Sequence, residues 1–421
     1  MNKKNIYNYG VLAIPLAFVG LPIYINVSDF YIRNFEINIA FLALIILTIR
    51  LLDALQEPFL GLLSDYLIKK NISHKKIIYV SSVFLALSFF ALFNPPNFIN
   101  SSVILLWLAV SMLATYSFFN LTVVNFEAMA VIIAKNSTQR IEINSIKEFL
   151  GLIGILVGAS SPTIIKLLLK NEENNYFYLS LIFIFLLFFA IIFFFNKIVI
   201  DENKIITKFD FKNILFEIFS NKIFLKFMGI FFVNSLAVSL PASVITFYVN
   251  EVLKCSEKLG IFLTIYFLSA AIFMIFWKKI AQKYGKINSW SFSIIGSILT
   301  FVFAYFVDSS NSYLFFIICF LSGMFLGSDL MMPPAIIAEI IHQKHDKISS
   351  YLSFWNMINK AGLMSASFLS LMVLWATSFN AKNVNQESLV AIPIIYAIIP
   401  CALKIIVVLL LFKLKSSQKN L

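Results

Sequence analysis

The chain has 421 residues, 60% of them hydrophobic and only 13% charged, with a formal net charge of +12. Soluble domains hold roughly 45–50% apolar and about 25% charged residues, so this composition excludes a soluble globular protein. Solid apolar runs in place of alternating strands exclude an outer-membrane barrel, and the length accommodates about a dozen spanning helices of ~20 residues each.

In chain order, the first apolar run follows "MNKKN" and covers about 9–28. It is too long for a signal-peptide core and has no small-residue cleavage site, so it reads as a retained first helix. Further runs fall at about 38–63, 77–94, 103–134, 146–168 and 176–196, and then at 227–250, 259–280, 289–308, 313–341, 350–377 and 391–412. The polar interval 197–226 divides them six and six. The expected organisation is an N-terminal six-helix bundle over 1–196, a cytoplasmic middle loop over 197–226, and a C-terminal six-helix bundle with a short basic tail over 227–421.

Basic residues set the orientation. Lys3, Lys4, Lys69, Lys70, Lys75, Lys76, Lys135, Arg140, the middle-loop lysines, Lys278, Lys279, Lys283, Lys286, Lys344, Lys347 and the basic tail fall on one side; the alternate loops hold only Arg33, Lys170, Lys254, Lys258 and Lys382. Basic loops stay on the cytoplasmic side, which places both termini there. The net charge is thus a topology signal, and no soluble basic face for nucleic acid follows from it. "GLLSDYLIKKN" after the second run and "KKIAQKYGK" after the eighth echo one another. Two such halves joined by a basic loop describe an all-α polytopic protein of the major facilitator architecture, with 12 transmembrane helices in two six-helix bundles. Cys255, Cys319 and Cys401 share no ligand spacing, and no disulfide or metal site follows from them. His74, His342 and His345 are expected to be solvated at the cytoplasmic side.

The second run carries "TIRLLDALQEPFLGLLSD". Arg50, Asp53, Gln56 and Glu57 follow one another at three- and four-residue steps and share one flank of a helix. Two carboxylates so close in oil need a bound proton or a cation between them, and oxygen ligands suit a hard ion such as Na⁺. The competing reading is a packing pair in which Arg50 neutralises one acid; it leaves the other acid unexplained. Pro58 is expected to loosen the helix near Ala54.

Ser117 and Asn120, with Thr122 beside them, offer neutral oxygens from the fourth run. The fifth run opens with Lys147 and Glu148, either of which could snorkel to the interface. Gly151, Gly154 and Gly158 then form a small-residue stripe suited to helix packing. The tenth run holds Asp329 ahead of Pro333 and Pro334, which are expected to bend it. Glu339 lies nearer its cytoplasmic end. The eleventh holds Trp355, Asn356 and Lys360, and a lysine that deep calls for a carboxylate partner.

"RLLDALQEPFLGLLSD" resembles the second-helix signature of the melibiose-permease-like glycoside–pentoside–hexuronide:cation symporters, Arg-x-x-Asp-x-x-Asn/Gln-Asp-Pro-x-x-Gly, with Glu57 in place of the second Asp. "YGVLAIPLAFVGLP", "NSLAVSLPASVITFYV" and "LGSDLMMPPAIIAE" look like a bacterial subgroup of the same family. The resemblance implies a Na⁺, Li⁺ or H⁺ site at Asp53, Gln56, Glu57 and Ser117. It implies substrate and coupling roles around Arg50, Asn120, Lys147, Asp329, Trp355, Asn356 and Lys360. Where sugar-binding members carry carboxylates on the first and fourth helices, this chain has Ala17 and Asn120.

The function so implied is secondary active transport, a symport of a small polar solute such as a sugar or glycoside with Na⁺ or H⁺. The expected setting is a multi-pass monomer in a bacterial inner membrane, whose partners are the lipid bilayer, the solute and a monovalent cation. It has no catalytic residues, no cofactor beyond the coupling ion, and no metal beyond Na⁺ at the cation site. A facilitator for lipids or peptides is the alternative. A membrane-embedded enzyme or sensor is the more distant one, since the chain has no HExxH, GxSxG or phosphate loop.

Overall fold

In the computed structural model the described residues are 3–23, 27–35, 39–96, 101–169, 175–197, 211–342, 347–378 and 385–419. Lys170, Lys344, His345, Lys382 and residues 198–210 of the middle interval lie outside them.

Every regular element among the described residues is a helix. The first apolar run and its flanks form α1 (Lys3–Gly10), α2 (Ala13–Leu21) and α3 (Val27–Phe35). The next five form α4 (Ile39–Lys69), α5 (His74–Phe93), α6 (Ser101–Ile133), α7 (Ser137–Leu169) and α8 (Asn175–Lys197). A short helix, α9 (Phe211–Ser220), stands within the interval read as loop, where Ile214 and Ile218 one turn apart give it a buried edge. Then come α10 (Lys222–Phe247), α11 (Leu259–Tyr284), α12 (Lys286–Phe301), α13 (Leu314–Ile341), α14 (Ile348–Ala376), α15 (Gln386–Pro393) and α16 (Ile399–Lys419). Among the described residues, nine helical stretches are long and apolar enough to cross a membrane. α4 and α13 run as unbroken helices through Pro58 and the Pro333–Pro334 pair.

The chain forms two compact units. One comprises Met1–Leu215 with Ile341–Met357, the other Phe216–Ile340 with Ile358–Leu421. The first has an aromatic core in which Tyr9 stacks on Phe126 at 4.4 Å while its hydroxyl donates to the Phe126 carbonyl at 2.7 Å. In the second, Tyr248 stacks on Tyr396 at 4.2 Å. Large apolar side chains such as Leu55, Phe185, Phe188 and Trp375 stay exposed, as lipid-facing surfaces require.

Two glycines in the first unit permit close helix approach. A Cβ at Gly154 would collide with the Ile14 carbonyl, so the glycine stripe of α7 packs on α2 as its spacing suggests. A Cβ at Gly61 would collide with Ser353 and with the Ser349 carbonyl, which brings α4 against the first turns of α14.

Candidate functional site

The first unit gathers the residues of the second-helix signature. Asp53 and Glu57, one turn apart on α4, are both buried, at 6% and 2% exposure. The Asn120 amide on α6 donates to Asp53 Oδ1 at 2.7 Å, and the Gln56 amide donates to the same oxygen at 3.3 Å. Ser117 Oγ lies 2.7 Å from Gln56 Oε1 and 2.8 Å from the Leu113 carbonyl, so its one proton can serve either acceptor. Asp53, Gln56, Ser117 and Asn120 are therefore one hydrogen-bonded cluster across α4 and α6, with Asn120 drawn onto the acid. Arg50 is half-buried one turn before Asp53.

The cluster suits a hard cation or a proton. Two carboxylates supply charge, and Gln56, Ser117 and Asn120 supply neutral oxygens. Rotation of either amide exchanges N–H for carbonyl oxygen toward Asp53, so the same side chains can serve a bare carboxylate or a carboxylate with a cation.

A second polar centre lies further along α6. Lys147 is buried within the protein on α7, with Nζ 3.0 Å from Glu148 and 3.4 Å from Glu127. The longer start of α7, at Ser137, carries Lys147 past the helix end and into the packed part of the unit. Asn356 on α14 donates to the other oxygen of Glu127 at 3.1 Å. Glu127 is absent from the residues singled out in the sequence. Its signal is position: it lies seven residues after Asn120, two helical turns and about 10 Å along the same face.

A third centre caps α14. Asp65 accepts the backbone N–H of Ser349 at 3.1 Å, that of Ser350 at 2.8 Å, and the Ser350 hydroxyl at 2.5 Å. These N–H groups belong to the first turn of α14 and have no partner within the helix. Ser64 donates to Asn125 Oδ1 and lies 3.0 Å from the Ser349 hydroxyl, while His74 Nδ1 sits 2.8 Å from the same Asn125 oxygen. His74 is thus buried, at 3% exposure, and not solvated; the pairing with Asn125 explains it. His342 is half-buried. Trp355 is buried, one residue before Asn356.

In the second unit, Asp329 accepts Trp290 Nε1 at 2.6 Å through one oxygen and the Lys404 ammonium at 2.5 Å through the other. Glu339 pairs with Lys286 near the end of α13, and Lys360 is half-buried on α14. No group of three or more His, Cys, Asp or Glu side chains placed to hold a metal ion occurs among the described residues.

Two all-helical units, each with acids buried inside it, fit a membrane transporter of the major facilitator type. The chain belongs to the MFS/sugar transport protein family, whose profile matches residues 6–416. It is a transporter and not an enzyme. Among solved structures it is similar to a bacterial homologue of the iron transporter ferroportin in the outward-facing state, with a TM-score of 0.71 and 12% identity over 99% of this chain and 100% of that one. It is also similar to the Escherichia coli fucose:proton symporter FucP, with a TM-score of 0.66 and 12% identity over 96% of this chain and 97% of that one. A structure of FucP in the outward conformation gives a TM-score of 0.67 at 13% identity, over 98% and 99% of the two chains. Identities this low speak for the fold alone. No curated protein matches the chain.

Proposed function

We propose that this transporter is a cation-coupled symporter of the glycoside–pentoside–hexuronide type, which uses inward flow of Na⁺ or H⁺ to take up a small polar solute, with a sugar or glycoside as the candidate. The carrying observation is the buried cluster in which Asp53 is bound by Asn120 and Gln56, and Gln56 by Ser117, with Glu57 one turn on. Ionisable groups this deep in a span are costly and mark ion or substrate pathways. The cation neutralises the α4 acids and lowers the barrier to alternating access, and the affinities for ion and solute are then linked reciprocally.

Arg50, Glu127, Lys147, Trp355, Asn356 and Lys360 carry the solute and coupling roles in this reading. Glu127 lies two turns from Asn120 on α6, pairs with Lys147 on α7, and ties α14 to α6 through Asn356. The Asp65 cap holds the first turns of α14 within the first unit. Both termini face the cytoplasm in a bacterial inner membrane, in accord with the placement of Lys and Arg.

The test is a solute panel on proteoliposomes under imposed Na⁺ and H⁺ gradients. Uptake of one polar solute driven by either gradient is the expected result. Transport of lipid or peptide with no response to either gradient would overturn the proposal.

A further inference from the structure

Asp329, Trp290 and Lys404 form a buried set in the second unit to which the coupling cluster does not assign a task. Asp329 lies near the middle of the span Leu314–Ile341, and Lys404 lies well inside the span Gln386–Leu414. Their side chains are 5% and 11% exposed. A buried carboxylate is stabilised when a cation touches one oxygen and a hydrogen bond serves the other. Both contacts are present: Lys404 Nζ is on Oδ2 and Trp290 Nε1–H is on Oδ1. Trp290 is itself fully buried and its ring meets Phe227 on α10 at 6.2 Å. The indole therefore fixes the direction of the carboxylate without help from Lys404.

We propose that Lys404 is a tethered counter-cation: its ammonium fills a monovalent-cation site at Asp329, so this acid is permanently neutralised and takes no part in coupling. The ammonium is a monovalent ion that the chain supplies to itself, and its stem fills the approach. Its removal leaves a carboxylate already aimed by Trp290 at a volume the size of a lysine side chain. That volume accepts a small primary ammonium, or Na⁺ with water. The consequence for stoichiometry rests on the reading of Asp53 and Glu57 as the coupling acids, since one coupling site then remains.

The experiment compares the thermal unfolding of wild type, Lys404→Ala and Asp329→Asn/Lys404→Ala in lipid nanodiscs. The salts are choline chloride, sodium chloride and propylammonium chloride at equal ionic strength. Lys404→Ala should gain about 1–2 °C over choline in propylammonium or Na⁺ at tenfold the dissociation constant, beyond any shift of wild type in the same salts. The double variant should fold without the acid's unpaired charge and show no such gain. If Lys404→Ala is recovered only when prepared with propylammonium or with Asp329→Asn added, the proposal stands. Absence of any ion-specific gain in Lys404→Ala, an equal gain in the double variant, or failure of the double variant to fold overturns it. Unfolding needs no transport, so a failure here leaves the Asp53 reading untouched, and loss of that reading shows only in uptake.

Discussion

Replacing Asp65 by Asn should release the first turns of α14. Asp65 is 3% exposed and accepts three hydrogen bonds from Ser349 and Ser350. A hydrogen bond to a charged group contributes about 1.5–3 kcal/mol, and a buried N–H left without an acceptor costs about 1–3 kcal/mol. Asn keeps one acceptor oxygen but turns an N–H₂ toward donors, so at least one bond is lost and one repulsion gained. The charge at the α14 N-terminus, another ~0.3–1 kcal/mol, goes as well. A net loss of about 3 kcal/mol corresponds to roughly 100-fold in the opening equilibrium, at ~1.4 kcal/mol per tenfold. Amide hydrogen exchange of peptides covering Ile348–Met357 should therefore accelerate about 100-fold in Asp65→Asn, with the aromatic core around Tyr9 unchanged. Ser350→Ala, which removes the hydroxyl and keeps both backbone bonds, should show about tenfold. Unchanged exchange in α14, or acceleration spread evenly over the chain, would refute the capping argument.

Lys147→Met leaves Glu127 and Glu148 together without their shared cation and should cost about 3–5 kcal/mol, whereas Glu127→Gln leaves the Lys147–Glu148 pair and should cost about 1–2 kcal/mol; denaturation midpoints in nanodiscs give the ranking. Gly154→Ala pushes a methyl into the Ile14 carbonyl and should lower stability by about 1–3 kcal/mol by the same assay. Cys255 is buried, and burial pushes its thiol up, so maleimide at pH 7 should modify it only after unfolding, as read by mass spectrometry.

The α4 cluster was legible because it is local. Asp53, Gln56 and Glu57 share a flank by spacing alone, and Ser117 and Asn120 sit one turn apart at a matching depth on α6. What escaped was nonlocal. Glu127 meets Lys147 twenty residues on and Asn356 on a helix 229 residues away, and no period in the chain links them. The partners of Asp65 lie 284 and 285 residues off. Lys404 hides in a run whose hydropathy absorbs one charge, and it lies 75 residues from Asp329. His74 looked solvated beside two lysines, since neither flank reveals Asn125. Pro58 removes a single helical hydrogen bond from α4, a loss that a 31-residue helix packed on α6 absorbs. Helix boundaries moved outward for a related reason: polar residues at span ends, such as those from Ser137 to Asn144, continue the helix without adding hydropathy.

The central claim is that the α4 acids hold the coupling cation. Once the solute panel has identified a transported solute, its uptake into proteoliposomes is measured with and without a Na⁺ or H⁺ gradient, for wild type, Asp53→Cys and Glu57→Cys. Gradient-stimulated uptake should vanish in both variants, while solute exchange without a gradient continues and the proteins stay folded in the membrane. Wild-type ion dependence surviving in both variants would contradict the account.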